Sequence, residues 1–210
     1  MIDFPESTRV NKRIPKEAFY QRLPLTANLK AKFISDVDSI IVSNSLKKEN
    51  LHLAKDSKVR EIMLLTIKLK KQNFDGKILE AIARQNSHKL IFLLVYEGLR
   101  QLAVYRGRLY VSRWMDESEV SLSLSGSTLD DIWDDLVRQT AISSQALLEQ
   151  NDREIDEQLK DQNEINRLNK LIQKTEAAAW KEQQPKKRFE LYTKLQAYKK
   201  QLEEITHGKA

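Results

Sequence analysis

The stretch Glu61-Ile62-Met63-Leu64-Leu65-Thr66-Ile67-Lys68-Leu69-Lys70 alternates, with Met63, Leu65, Ile67 and Leu69 on one face. Period-two alternation marks a half-buried strand. Asp75-Gly76-Lys77-Ile78-Leu79-Glu80-Ala81-Ile82 follows, where Asp75 suits a helix cap and Ile78, Leu79 and Ile82 form the buried stripe of a helix over 75–85. Leu90-Ile91-Phe92-Leu93-Leu94-Val95-Tyr96 is apolar on both faces, as a central strand is. Strand, helix and strand in so short a span predict a right-handed crossover joining a parallel pair.

Downstream, Glu97-Gly98 and Arg106-Gly107 are turn signals between apolar runs at 90–96, 99–105 and 108–114, which predicts a meander and a last short strand over 119–124. Upstream, Ile14, Ala18, Phe19 and Arg22 suggest a helix over 11–23. Thr26 suits the cap of a second helix over 27–36, striped by Leu29, Phe33 and Val37. Ile40-Ile41-Val42 favours a strand, and Leu51 and Leu53 a weaker one. Residues 1–126 therefore form an α+β domain with a mixed β-sheet.

The rest of the chain has another character. Gly126-Ser127-Thr128 caps a helix with Asp130 and Asp131 in its first turn, and nothing interrupts it before Pro185. Leu191, Leu195, Tyr198, Leu202 and Ile205 then recur at spacings of four, three, four and three. That is an a/d seam. Residues 127–210 are expected to form an antiparallel helical hairpin, or short coiled coil, turning near 183–187. The seam is short, so Leu148, Ile155 and Leu159 on the longer helix are the candidate docking face for a partner helix.

Charge is laid out in blocks. Residues 1–126 hold 22 basic and 14 acidic side chains, residues 127–180 hold 6 and 12, and residues 181–210 hold 8 and 4. The acidic and basic blocks suit opposite arms of one hairpin. With no cysteine, disulfides and thiolate chemistry are excluded. The longest apolar run, 90–96, is far short of a membrane span of about 20 residues. Met1-Ile2-Asp3-Phe4-Pro5 lacks the basic stretch and apolar run of a signal peptide, so the cytoplasm is the expected location.

Chemistry-bearing motifs are scarce. His52, His88 and His207 have no second ligand or base at useful spacing. A metal-dependent nuclease would set Asp on one strand and Glu-x-Lys on the next, yet Thr66-Ile67-Lys68-Leu69-Lys70 has no acid where Glu should stand. Asp36, Asp38 and Glu61 are present without the pattern. The five glycines are isolated, which removes phosphate loops and dinucleotide fingerprints. No catalytic residue, metal or cofactor is assigned. Lys68, Lys70 and Lys71 end one strand, and Arg100, Arg106, Arg108 and Arg113 lie on the meander near Tyr105, Tyr110 and Trp114. These seven cations are the candidate nucleic-acid contacts, cations meeting phosphates while rings stack on bases. The other reading is a solvated edge that discourages aggregation.

Val10-Asn11-Lys12-Arg13-Ile14-Pro15-Lys16 with Phe19-Tyr20, and Lys77-Ile78-Leu79-Glu80-Ala81-Ile82-Ala83 before the apolar run at Leu90, resemble the bacterial domain-of-unknown-function 4391 family. Trp114-Met115-Asp116-Glu117, Val137-Arg138-Gln139 and Arg188-Phe189-Glu190-Leu191 extend the resemblance over most of the chain. It implies an accessory role beside helicases, restriction-modification enzymes or other phage-defence proteins, and supplies no catalytic residues. The expectation is a non-catalytic interaction protein whose hairpin docks on a larger partner and whose basic sheet contacts DNA or RNA. The rivals are a divergent metal-dependent nuclease and a self-associating scaffold, a homo-oligomer.

Overall fold

The structure is a computed structural model that describes residues 2–21, 23, 25–149 and 153–206. The chain divides into two compact units, Met1–Ala141 and Ile142–Ala210.

The first unit is a mixed sheet built from β1 (Arg9–Ile14), β2 (Val37–Lys47), β3 (Glu61–Leu69), β4 (Lys89–Tyr96), β5 (Leu99–Arg106) and β6 (Arg108–Val111), which lie side by side in that order. A two-residue β7 (Met115–Asp116) also pairs with β5. Among these strands every pairing is antiparallel except β3 with β4, whose parallel register sets Ile62 opposite Lys89 and Lys68 opposite Val95. The crossover carries α3 (Lys77–Gln85), as the sequence predicts. Asp75 lies one residue before the cap position, where its Oδ1 accepts from the Lys77 amide at 3.1 Å.

Both faces of the sheet are covered. On one, α2 (Ala27–Asp36) and α3 close over Ile40, Val42, Leu65, Ile67, Phe92, Leu94 and Ala103, with Phe33, Ile78, Leu79 and Ile82 packed in. Thr26 caps α2, its hydroxyl accepting from the Leu29 amide. Strand alternation turns Ile62, Leu64, Ile91, Leu102 and Val104 to the other face, where α4 (Leu129–Ala141) packs against β3, β5 and β6. The buried stripe of α4 is Leu129, Ile132, Trp133, Leu136 and Val137. So β3 is buried on both sides rather than half-buried. Gly126 makes the entry to α4 possible: its φ is 141°, and a Cβ there would sit 2.9 Å from the Ile132 amide nitrogen.

Several expectations are corrected. The helix expected over 11–23 is instead the edge strand β1 followed by the short α1 (Lys16–Tyr20). Ile14 precedes Pro15 and is therefore biased to extended backbone, and β2 supplies hydrogen-bond partners that no sequence window contains. Arg22, part of that expected stripe, lies outside the described residues. Leu51 and Leu53 lie in the turn after β2, not in a strand. Residues 119–124 form no strand; Glu117–Glu119 is a single 3-10 turn, and Leu122 makes an isolated bridge to Ile2. The division falls after Ala141 rather than at 126, because α4 belongs to the sheet.

The second unit is a helical hairpin, α6 (Ile155–Lys181) and α7 (Pro185–Thr206), preceded by the short α5 (Gln145–Leu148). Thus the described residues of 127–181 form three helices, α4, α5 and α6, not one. No glycine or proline marks the breaks; the partner of the freed backbone comes from α6, where the buried Gln162 accepts the Ser143 and Ser144 amides at 2.9 and 3.1 Å. The buried Gln158 Nε2 donates to the Leu147 carbonyl, holding α5 against the first turns of α6. Three residues connect α6 to α7, with Pro185 at the first helical position. So short a connection imposes the antiparallel order. Along α7, Leu195 is buried and Leu191, Tyr198, Leu202 and Ile205 are half-buried while the residues at most other positions are exposed, which is the a/d seam. Among the described residues, no helix is long and apolar enough to cross a membrane.

Candidate functional site

The parallel register that builds the sheet also sorts its cations. Lys68 is level with Val95, and Val95 with Arg100, so Lys68, Lys70 and Arg100 meet at one end of the sheet around a shallow hollow of about 440 Å³ that Asp38 and Glu97 share. Arg106 and Arg108 are at the opposite end, where β5 turns into β6 through Gly107 at φ 71°. The seven candidates therefore do not form one surface. Several are already committed: Lys71 to the buried Asp36 at 2.8 Å, Arg100 to Glu117 at 2.8 Å and to two backbone carbonyls, Arg113 to Glu119 at 3.3 Å, and Arg106 to Asp134 on α4. Lys68 and Lys70 are exposed.

The rings expected to stack on bases are also committed. Arg84 lies 5.3 Å from the Tyr105 ring centre and Arg108 lies 5.6 Å from that of Tyr110. Trp114 packs against the core. These are cation–π contacts within the fold, a role that residue type alone does not distinguish from ligand stacking.

At the Arg106 end lies a cleft of about 1070 Å³. Lys58 and Arg60 enter it from the segment before β3, Glu61 and Lys89 from the starts of the parallel strands, His88 from the turn before β4, and Trp133 and Asp134 from α4. Asp130 fixes the near wall, its carboxylate accepting from the Lys58 and Val59 amides at 2.8 and 3.0 Å. Lys89 Nζ stands 5.6 Å from the centre of the buried Trp133 ring. Lys58 and Arg60 are exposed to the opening.

One constellation here is invisible in sequence. The Glu61 side chain, only 12% exposed, faces His88 Nδ1 at 3.3 Å and Lys47 Nζ at 3.7 Å, and accepts from the Ser45 hydroxyl at 2.5 Å. His88 thus has the carboxylate partner that its spacing in sequence does not reveal. The two are 27 positions apart, and only the register of Ile62 with Lys89 makes them neighbours. His52 is exposed in a turn, and His207 lies outside the described residues.

The carboxylates considered for a nuclease do not converge. Glu61 opens β3, whereas the Asp36 carbonyl accepts from Lys70, just past the end of β3. A nine-residue strand at about 3.3 Å per residue sets them about 26 Å apart, so no single metal ion can bridge them.

On the hairpin, the expected docking face does not exist as such. Ile155 and Leu159 are 2% and 3% exposed, and Leu148 is half-buried on the separate helix α5. The break after α4 lets α5 fold back on α6, where an unbroken helix would have left a stripe open. Among the described residues of this unit, the exposed large apolar side chains are instead Trp180, Phe189 and Tyr192, beside the α6–α7 turn. Their signal was present in the heptads, because Phe189 and Tyr192 fall off the Leu191–Leu195 seam.

Residues 2–202 match a family described as a domain of unknown function, DUF4391. No curated protein and no solved structure matches the chain.

Proposed function

The chain belongs to the DUF4391 family, and on that footing we propose that it is a non-catalytic accessory protein of bacterial DNA-processing or phage-defence machinery, working in the cytoplasm and contacting nucleic acid through the cleft at the Arg106 end of its sheet. The observation that carries this reading is the cleft itself. The exposed Lys58 and Arg60, and Lys89 seated over the buried Trp133 ring, line an opening of about 1070 Å³ that Glu61, Asp130 and Asp134 also line. The exposed cations at its mouth suit a phosphate backbone rather than a particular base sequence.

Fluorescence anisotropy with labelled 20-mer single strands and duplexes tests it. Affinity should fall steeply with salt, and changing Lys58, Arg60 and Lys89 together to alanine should flatten the log–log slope by about two to three units on duplex DNA. An unchanged slope, or no binding near 50 mM salt, removes the cleft from the function.

A second reading is enzymatic, and the Ser45–Glu61–His88 arrangement favours it. An imidazole beside a carboxylate on the wall of a cleft that also carries cations is the equipment of a general base acting on a phosphate ester. Incubation with RNA and DNA in EDTA, comparing the native chain with His88→Ala, separates the readings: cleavage lost in the variant makes the protein an enzyme.

A further inference from the structure

We propose that the turn end of the helical hairpin is a single-stranded nucleic-acid site that binds by stacking bases on Trp180, Phe189 and Tyr192. This site is in the other compact unit from the sheet cleft and stands independently of it.

The three side chains lie at one end of the hairpin because the connection is short. Trp180 is the penultimate residue of α6, Pro185 opens α7, and Phe189 and Tyr192 follow within its first two turns. Phe189 and Tyr192 are three positions apart and so neighbours on one helix face. Trp180 is 78% exposed, Phe189 72% and Tyr192 43%. Leaving two rings this open costs hydrophobic free energy that a structural role would recover by burial, whereas the seam residue Leu195 nearby is buried.

The occupant follows from what accompanies the rings. Lys181 at the end of α6 and Lys186, Lys187, Arg188 and Lys194 in the first three turns of α7 are all exposed, against two acids over 181–194, Glu182 and Glu190. The partner is therefore anionic. Among the described residues of this unit, no exposed large aliphatic side chain joins the three aromatics. A bilayer or an apolar protein groove accepts leucine and isoleucine as readily as rings, and α7 otherwise presents lysine, glutamine and glutamate outward. Exposed flat rings interleaved with cations are what unpaired bases and their phosphates engage, without sequence preference. A duplex hides its base faces and engages only the cations.

Tryptophan fluorescence of the full chain tests this, because Trp133 is buried and Trp114 half-buried while Trp180 is open. An oligo-dT 20-mer at about 50 mM salt should quench the Trp180 component, defined by its loss in Trp180→Phe. A 20-mer duplex should quench it much less. Trp180→Ala with Phe189→Ala should weaken dT binding by roughly tenfold or more with the salt slope unchanged. Lys186, Lys187 and Arg188 changed to glutamine should instead lower that slope by about two units. All five side chains are exposed, and far-UV circular dichroism verifies the fold. Changing Lys58, Arg60 and Lys89 to alanine should leave the Trp180 quench intact, so failure of the cleft and failure of the tip are read separately. Equal quenching by duplex, partition of Trp180 into phosphatidylserine vesicles without a response to dT, or unchanged dT affinity in the double alanine variant would each overturn the proposal.

Discussion

Ending the chain at Ser125 should destroy the sheet unit, whereas ending it at Ala141 should not. The difference is α4, whose Leu129, Ile132, Trp133, Leu136 and Val137 are all buried on the face that carries Ile62, Leu64, Ile91, Leu102 and Val104. At about 1.5–3 kcal/mol for each fully buried side chain, the five contribute on the order of 7–15 kcal/mol. That figure is an upper bound, because the denatured chain already hides part of this surface. It still equals the roughly 5–15 kcal/mol by which a whole domain is stable. Removing α4 also uncovers an apolar sheet face, which promotes aggregation. Urea denaturation followed by near- and far-UV circular dichroism should give the 1–141 fragment one cooperative transition. The 1–125 fragment should show none and should bind a hydrophobic dye. A cooperative transition in 1–125 with the midpoint of 1–141 would refute the assignment of α4 to the core; a 1–141 fragment without any transition would refute the two-unit division.

Leu195→Ala, in the middle of the α7 seam, should cost about 2–4 kcal/mol, read as faster hydrogen exchange in α6 and α7 with the amides of β3 and β4 unaffected. Asp130→Ala strips the Lys58 and Val59 amides of their shared acceptor and should cost about 1–3 kcal/mol, with faster proteolysis of residues 48–60 as the local signature. At the start of α4, the Asp131 carboxyl is held below its ordinary value, chiefly by the Thr128 side chain and then by Ser127. A lowered folded-state value means the contribution is complete above the ordinary aspartate range and is lost as pH falls through the folded value, below about pH 4. Asp131→Asn should therefore flatten the acid limb of the melting temperature and leave the neutral region nearly unchanged; an identical limb would show that the cap does not titrate. Because Arg106 is already paired with Asp134, replacing Arg106 and Arg108 with alanine should flatten the salt dependence of duplex binding by about one unit at most.

The sequence by itself determined the elements whose local periodicity was long and unambiguous, though not the 11–23 segment, whose helical spacing gave way to β1. Alternation over 61–70, the stripe of Ile78, Leu79 and Ile82, and the apolar run at 90–96 sufficed for the parallel crossover, because a strand and a helix place apolar residues at different intervals whatever surrounds them. The heptad from Leu191 to Ile205 likewise defined the hairpin seam. Tertiary structure decided the rest. Residues 9–14 became an edge strand because β2 lies beside them, and the segment after Ala141 broke because Gln162, nearly twenty positions on, accepts its amides. The cations expected to form one surface were divided between two ends of the sheet by strand direction, and Glu61 was brought to His88 by the same parallel register. Pairing partners, helix breaks and side-chain neighbours depend on contacts between residues far apart in the chain. Local pattern says which face of an element is apolar; only the packed chain says what meets that face, and so which cations and rings remain free to bind.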